Sequence, residues 1–180
     1  MKLDWNVDSS WTLFIDRDGV INERIFGGYI LNKESFIFKK GVLEASASLF
    51  ARFKYVIVVT NQQCIGKGLI TTSEIDKIHQ FMNDELNRNN VYIDMILVAP
   101  ELKGPQSTLR KPSPEMAFHA KEKYPDIDFS KSMMIGDTDS DIEFGKNLEM
   151  KTVLIQSDEL CISEPDVEVN SLMELNRILS

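Results

Sequence analysis

Two kinds of run alternate along the chain. Residues 11–15 (WTLFI) are short and almost wholly apolar, the pattern of a strand buried on both faces. Residues 55–59 (YVIVV), 92–98 (YIDMILV), 132–135 (SMMI) and 152–155 (TVLI) repeat it and predict four more strands. Amphipathic segments lie between them. Val42, Leu43, Leu49, Phe50 and Phe53 give 41–53 an apolar face. Ile75, Ile78, Phe81, Met82 and Leu86 do the same for 73–87, where Thr71 and Glu74 have the spacing of a capping box. Ser113 reads as an N-cap with Pro114 at the first helical position, and further helices are expected over 139–148 and 171–179.

Strands alternating with helices predict an α/β fold: a three-layer α/β/α, Rossmann-like arrangement around a central, mainly parallel sheet. Ligands of such sheets bind beyond the carboxyl ends of the strands. Chemistry is therefore expected just after residues 15, 59, 98, 135 and 155.

The 180 residues suit one domain, with 1–10 as an N-terminal extension. Twenty basic against 28 acidic residues leave a net charge of −8, which argues against a nucleic-acid partner. Cys64 and Cys161 are far apart and form no CxxC or Cys/His cluster. Neither structural zinc nor a disulfide framework is expected, and a reducing cytoplasm is the simpler setting. Residues 1–10 have no long apolar run, so no signal peptide is expected, and no stretch approaches the roughly 20 apolar residues of a membrane span. A monomeric chain with no membrane partner is expected, and the charge leaves room for a small anionic substrate, because a few Lys and Arg can be concentrated at one site.

The strand ends carry the chemistry. The first ends in Asp16-Arg17-Asp18-Gly19. A turn at Gly19 directs both carboxylates to one site, where a hard cation such as Mg²⁺ would relieve their repulsion. The second ends in Thr60-Asn61, side chains suited to phosphate oxygens or to a turn. Lys111 lies in Arg110-Lys111-Pro112, where Pro112 keeps it out of helical conformation. Arg110 could grip a phosphate bidentately. The fourth strand ends in Gly136-Asp137-Thr138-Asp139-Ser140-Asp141: Asp137 is the candidate metal ligand, Asp141 stands behind it, and Asp139 reads as a helix cap. His79 and His119 read as exposed or capping, Cys64 as a small loop residue, Trp5 and Trp11 as packing for the N-terminal segment, and the eight Met as core filler.

In order and spacing these four groups resemble the signature motifs of the haloacid dehalogenase (HAD) superfamily, from about Leu13 to Ile155. The segments FIDRDGVIN (14–22), GYI (28–30), FIFKKGVLEA (36–45), VVTNQQCIGKG (58–68), RKPSPEM (110–116) and MIGDTDSD (134–141) resemble one subfamily more closely. It contains heptose 1,7-bisphosphate phosphatases and the histidinol-phosphate phosphatase domain. The resemblance implies a phosphatase without a large cap domain, with a flap over 20–35. Asp16 is then the nucleophile, Asp18 the acid–base, and Lys111, Thr60 and Asn61 the phosphate contacts. Mg²⁺ is held by Asp16, Asp18 through its carbonyl, and Asp137. Arg24 and Arg110 are candidates for the substrate's distal group. Many members carry a Cys/His zinc loop before RKP, whereas APELKGPQSTLRKP here has no Cys or His. The partner that the resemblance implies is a small phosphorylated metabolite, with a heptose bisphosphate as the leading substrate and histidinol phosphate as the second. A polynucleotide 3′-phosphatase, a phosphotransferase and a non-catalytic phosphate-binding protein are the further alternatives.

Overall fold

The computed structural model describes residues 2–179. Six strands form one sheet: β1 (Thr12–Ile15), β2 (Tyr55–Asn61), β3 (Met95–Ala99), β4 (Ser132–Gly136), β5 (Lys151–Ile155) and β6 (Val167–Val169). Every pairing is parallel, in the order β3-β2-β1-β4-β5-β6. The helices are α1 (Val42–Phe50), α2 (Gln63–Gly66), α3 (Thr72–Arg88), α4 (Glu115–Lys123), α5 (Asp139–Asn147) and α6 (Leu172–Ile178). The expected α/β architecture is the observed one.

Period-two alternation divides the core. Leu13, Ile15, Val56, Val58, Met133, Ile135 and Val153 face one layer, packed with Leu49, Ile75, Met82 and Leu175 from α1, α3 and α6. Phe14, Ile57, Val59 and Met134 face the other, with Met116 and Ala120 of α4 and Phe144 of α5. Since both sheet faces are covered, the strands are continuously apolar, which is why they were legible. The capping box at Thr71 and Glu74 opens α3 as expected.

Several boundaries differ. The third strand starts at Met95, because the Asp94 carboxylate takes the Val56 amide (2.8 Å) in place of a backbone carbonyl. The helix expected at Ser113 begins at Glu115, with Pro114 as its cap residue. β6 and α2 were missed, being three and four residues long. Of the expected core methionines, Met82, Met116, Met133, Met134 and Met150 are buried and Met173 is 43% exposed. Met1 lies outside the described residues. Trp5 and Trp11 do pack the N-terminal segment onto the core. Between β1 and α1 the chain forms loops and one 3-10 turn, Lys33–Ser35. Among the described residues no helix is long and apolar enough to cross a membrane.

Phe144 is fully buried and meets Phe14 edge-on at 6.2 Å. Phe144→Ala is expected to cost about 3–5 kcal/mol, read as a lower urea midpoint at unchanged slope. Tyr92→Ala, at a 66% exposed position, should stay within about 0.5 kcal/mol of the parent.

Candidate active site

β1 and β4 are neighbours, so their carboxyl ends deliver Asp16 and Asp137 to one place. The Asp16 amide extends the ladder by donating to the Ile135 carbonyl (2.9 Å). Asp141 arrives from the first turn of α5, where its Oδ2 accepts from the Asp137 and Thr138 amides and from the Thr138 hydroxyl. One carboxylate oxygen from each of the three acids lies within 4.8 Å of the others, and all three residues are buried.

Lys111 is the buried cation among them. Its Nζ donates to Asp16 Oδ1 (2.8 Å) and the Val59 carbonyl (2.6 Å) and meets Asp141 Oδ1 at 2.6 Å. Asn61, a phosphate contact by the resemblance, lines the cleft, and its side chain clamps the Lys111 backbone, accepting its N–H (2.9 Å) and donating to its carbonyl (3.3 Å). Thr60 is buried, and its hydroxyl accepts from Gln62 Nε2 (2.8 Å).

Two glycines make the approach possible. A Cβ on Gly19 would lie 2.0 Å from Asp137 Oδ2, and its φ of +89° is left-handed. A Cβ on Gly136 would lie 2.0 Å from Asp141 Cβ.

Arg24 also points inward. Its Nη2 donates to Asp137 Oδ1 (2.8 Å) and to the Asp18 carbonyl (3.3 Å), and its Nη1 reaches Glu159 at 3.4 Å. Asp137 Oδ2 has no hydrogen-bond partner. A guanidinium thus occupies the position expected for a cation, on two oxygens assigned to a metal. The donor set of hard oxygens fits Mg²⁺.

Three buried acids face two cations, and the charge excess falls on the acids. Burial, opposed by Lys111, pushes Asp16 up to about 6. Burial and the Asp16 charge push Asp137 up to about 8. Burial alone would lower Lys111, but Asp141 and Asp16 outweigh it and raise it. Asp18 goes the other way. Burial raises it, but Arg17, Asn22 and Gln62 together hold its carboxyl below the usual range.

Asp16, Asp18 and Asp141 line a cleft of about 1140 Å³, together with Thr60, residues 24–30, Lys67, Lys103 and Arg110. Arg110 Nη1 has no hydrogen-bond partner.

Four features escaped sequence reasoning. Glu101 closes the loop before Arg110 by accepting the Thr108, Leu109 and Arg110 amides and the Thr108 hydroxyl. Asp139 is not a helix cap; Thr138 is. Asp139 Oδ1 instead accepts the Ile162 and Ser163 amides (2.8 and 2.7 Å), anchoring the loop after β5. His79 is neither exposed nor capping: it is buried on α3 against Arg17. Gln62 bridges Thr60 and Asp18. Each depends on a contact between residues far apart in sequence or on loop shape, so periodicity carries no trace of it.

The fold and site define a HAD-like hydrolase. Residues 108–169, which include Lys111, Asp137 and Asp141, match the family model described as HAD-hydrolase-like. The chain is 36% identical over 138 residues to the D-glycero-alpha-D-manno-heptose-1,7-bisphosphate 7-phosphatase of Mycobacterium bovis, covering 77% of this chain and 73% of that one. It is 35% identical over 147 residues to the protein of the same name from Campylobacter jejuni, covering 82% and 83%. The D,D-heptose 1,7-bisphosphate phosphatase of B. bronchiseptica, solved with magnesium and phosphate, superposes with a TM-score of 0.82 at 24% identity over 94% of this chain and 97% of that one, which shows the same fold. The chain belongs to the HAD superfamily of phosphatases, in the family of these heptose-bisphosphate 7-phosphatases.

The raised acids give a signed pH dependence. Both folded values lie above the unfolded Asp value, so the folded, metal-free protein holds protons that the unfolded chain has released. Its stability should be full below about pH 4 as far as these two groups go. It should fall as pH rises through about 6 and then about 8. Thermal melts in chelator across pH 5–9 check this; a rising Tm over that range contradicts it.

Proposed function

We propose that the protein is a Mg²⁺-dependent phosphomonoesterase acting through an aspartyl-phosphate on Asp16, with D-glycero-D-manno-heptose 1,7-bisphosphate as substrate. The carrying observation is the buried Asp16 carboxylate at the strand end, held by Lys111 at 2.8 Å and grouped with Asp137 and Asp141.

Asp16 attacks phosphorus in line. The Oδ–P bond forms as the ester P–O bond breaks, and the leaving oxygen takes a proton from Asp18. Asp18 then removes a proton from water. The resulting hydroxide attacks the aspartyl-phosphate, releasing inorganic phosphate and restoring Asp16. Lys111 and Thr60 hold the phosphoryl oxygens, and Lys111 stabilises the charge that builds on them. Asp16, the Asp18 carbonyl and Asp137 would hold Mg²⁺, which supplies Lewis-acid neutralisation of the carboxylate–phosphate repulsion. Asp141 fixes Lys111. Arg110 and Lys67 line the same cleft and suit the second phosphate. The names of the two relatives above support this substrate.

Asp16→Asn should lose at least about a thousandfold in Mg²⁺-dependent phosphate release; near-parental turnover overturns the nucleophile. Across a panel of phosphate monoesters, kcat/KM should be highest for the heptose bisphosphate, and a higher value for histidinol phosphate overturns the substrate. Arg24→Ala removes the guanidinium that competes for Asp137. Calorimetry should then show tighter Mg²⁺ binding than in the parent, and weaker binding would contradict that competition.

A further inference from the structure

Arg17 separates the two acids in sequence, and its side chain points the opposite way, into the protein. It is the largest fully buried side chain, at 0% exposure. A buried cation is costly, and an apolar residue of similar volume would pack this place at no such cost. Its contacts indicate what it does there. Nε and Nη2 both donate to Asp18 Oδ1 (3.2 and 2.9 Å), and Nη2 also reaches Oδ2 (2.9 Å). The remaining nitrogen, Nη1, lies 3.0 Å from Nε2 of His79, 62 residues away on α3. Guanidinium has donors only, so His79 Nε2 accepts and the ring proton sits on Nδ1. The Phe36 ring lies 6.0 Å from the guanidinium carbon.

Asp18 is thereby fixed from behind by a planar fork, and the fork by His79. Asn22 Nδ2 donates to Oδ1 (2.9 Å) and Gln62 Nε2 to Oδ2 (2.7 Å). Gln62 also donates to Thr60, so the same frame ties the acid–base to a phosphate contact. The Asp18 side chain remains 23% exposed toward the cleft. We propose that Arg17 and His79 form a positioning pair that aims the Asp18 carboxyl at the leaving oxygen. Neither residue touches substrate; both act through Asp18. The inference rests on the phosphatase reading above, with Asp18 as its acid–base.

The reaction itself supplies a readout that a merely structural role would not move. An alkyl phosphate expels a poor leaving group and needs the aimed proton. p-Nitrophenyl phosphate expels a good one and needs it far less. His79→Leu removes the acceptor and frees the fork to turn. The ratio of turnover on an alkyl phosphate to that on p-nitrophenyl phosphate should fall at least about tenfold, since a displacement of the order of 1 Å can cost about a hundredfold. His79→Gln, whose Oε1 can accept in the same place, should restore the ratio to within about threefold of the parent. Arg17→Lys, keeping charge but losing the fork, should lower the ratio as His79→Leu does. Equal losses on both substrates, or an unchanged ratio in His79→Leu and Arg17→Lys, overturn the positioning role and leave the phosphatase reading intact. Failure of the parent to hydrolyse either ester overturns both.

Discussion

Everything at this site depends on keeping three buried carboxylates together. Asp16, Asp137 and Asp141 approach within 4.8 Å, and like charges at that distance in a buried setting repel strongly. Lys111 bridges Asp16 and Asp141, and Arg24 covers Asp137. That still leaves one negative charge in excess; burial first, and the charge of the neighbouring acids after it, push Asp16 and Asp137 upward. The surrounding architecture serves this constraint. Apolar strands bury the ends of β1 and β4, Gly19 and Gly136 let backbone approach where a Cβ would collide, and Asn61 clamps the backbone of Lys111.

Carboxylates away from the centre shape its rim. Glu101 gathers three amides and a hydroxyl to hold the loop that ends at Arg110. Asp139 gathers two amides to hold the loop carrying Glu159, which in turn meets Arg24. Glu101 reaches seven to nine residues along its own loop, whereas Asp139 reaches 23 and 24 residues ahead to the loop after β5; each anchor needs only one acidic side chain. Many members of the resembling subfamily carry a Cys/His loop before the RKP segment; here one glutamate organises the same stretch.

The strands and the residues at their ends were legible because two independent regularities coincide there. Burial on both faces makes strands apolar, and the crevice rule places chemistry at their carboxyl ends. Asp16, Asp137 and Asp141 were found that way, Lys111 from its place before Pro112 and by the resemblance, and the structure brings the four together. What remained hidden has equally physical reasons. Three alternating residues are too few to mark β6. The inward turn of Arg24 depends on an acid 113 residues away. His79 occupies a polar-looking place in an amphipathic helix, and its burial depends on Arg17, whose charge would ordinarily place it at the surface.

Asp16 and Asp18 are two residues apart yet sit in opposite electrostatic states, one raised and one lowered. In the roles proposed above a nucleophile must be ionised and a leaving-group acid protonated; the metal-free protein holds Asp18 in the less useful form, while Asp16, at about 6, loses its proton only as pH rises through that value. The remedy for each lies on its own side of the turn. Asp16 shares its cluster with Asp137 and the Asp18 carbonyl, so added positive charge there lowers it. Asp18 borders the cleft, where an incoming phosphate dianion raises it against the pull of Arg17. In those roles a bound cation would extend the ionised range of Asp16 to lower pH and bound substrate would favour a proton on Asp18, which the Arg17 fork holds at both of its carboxylate oxygens.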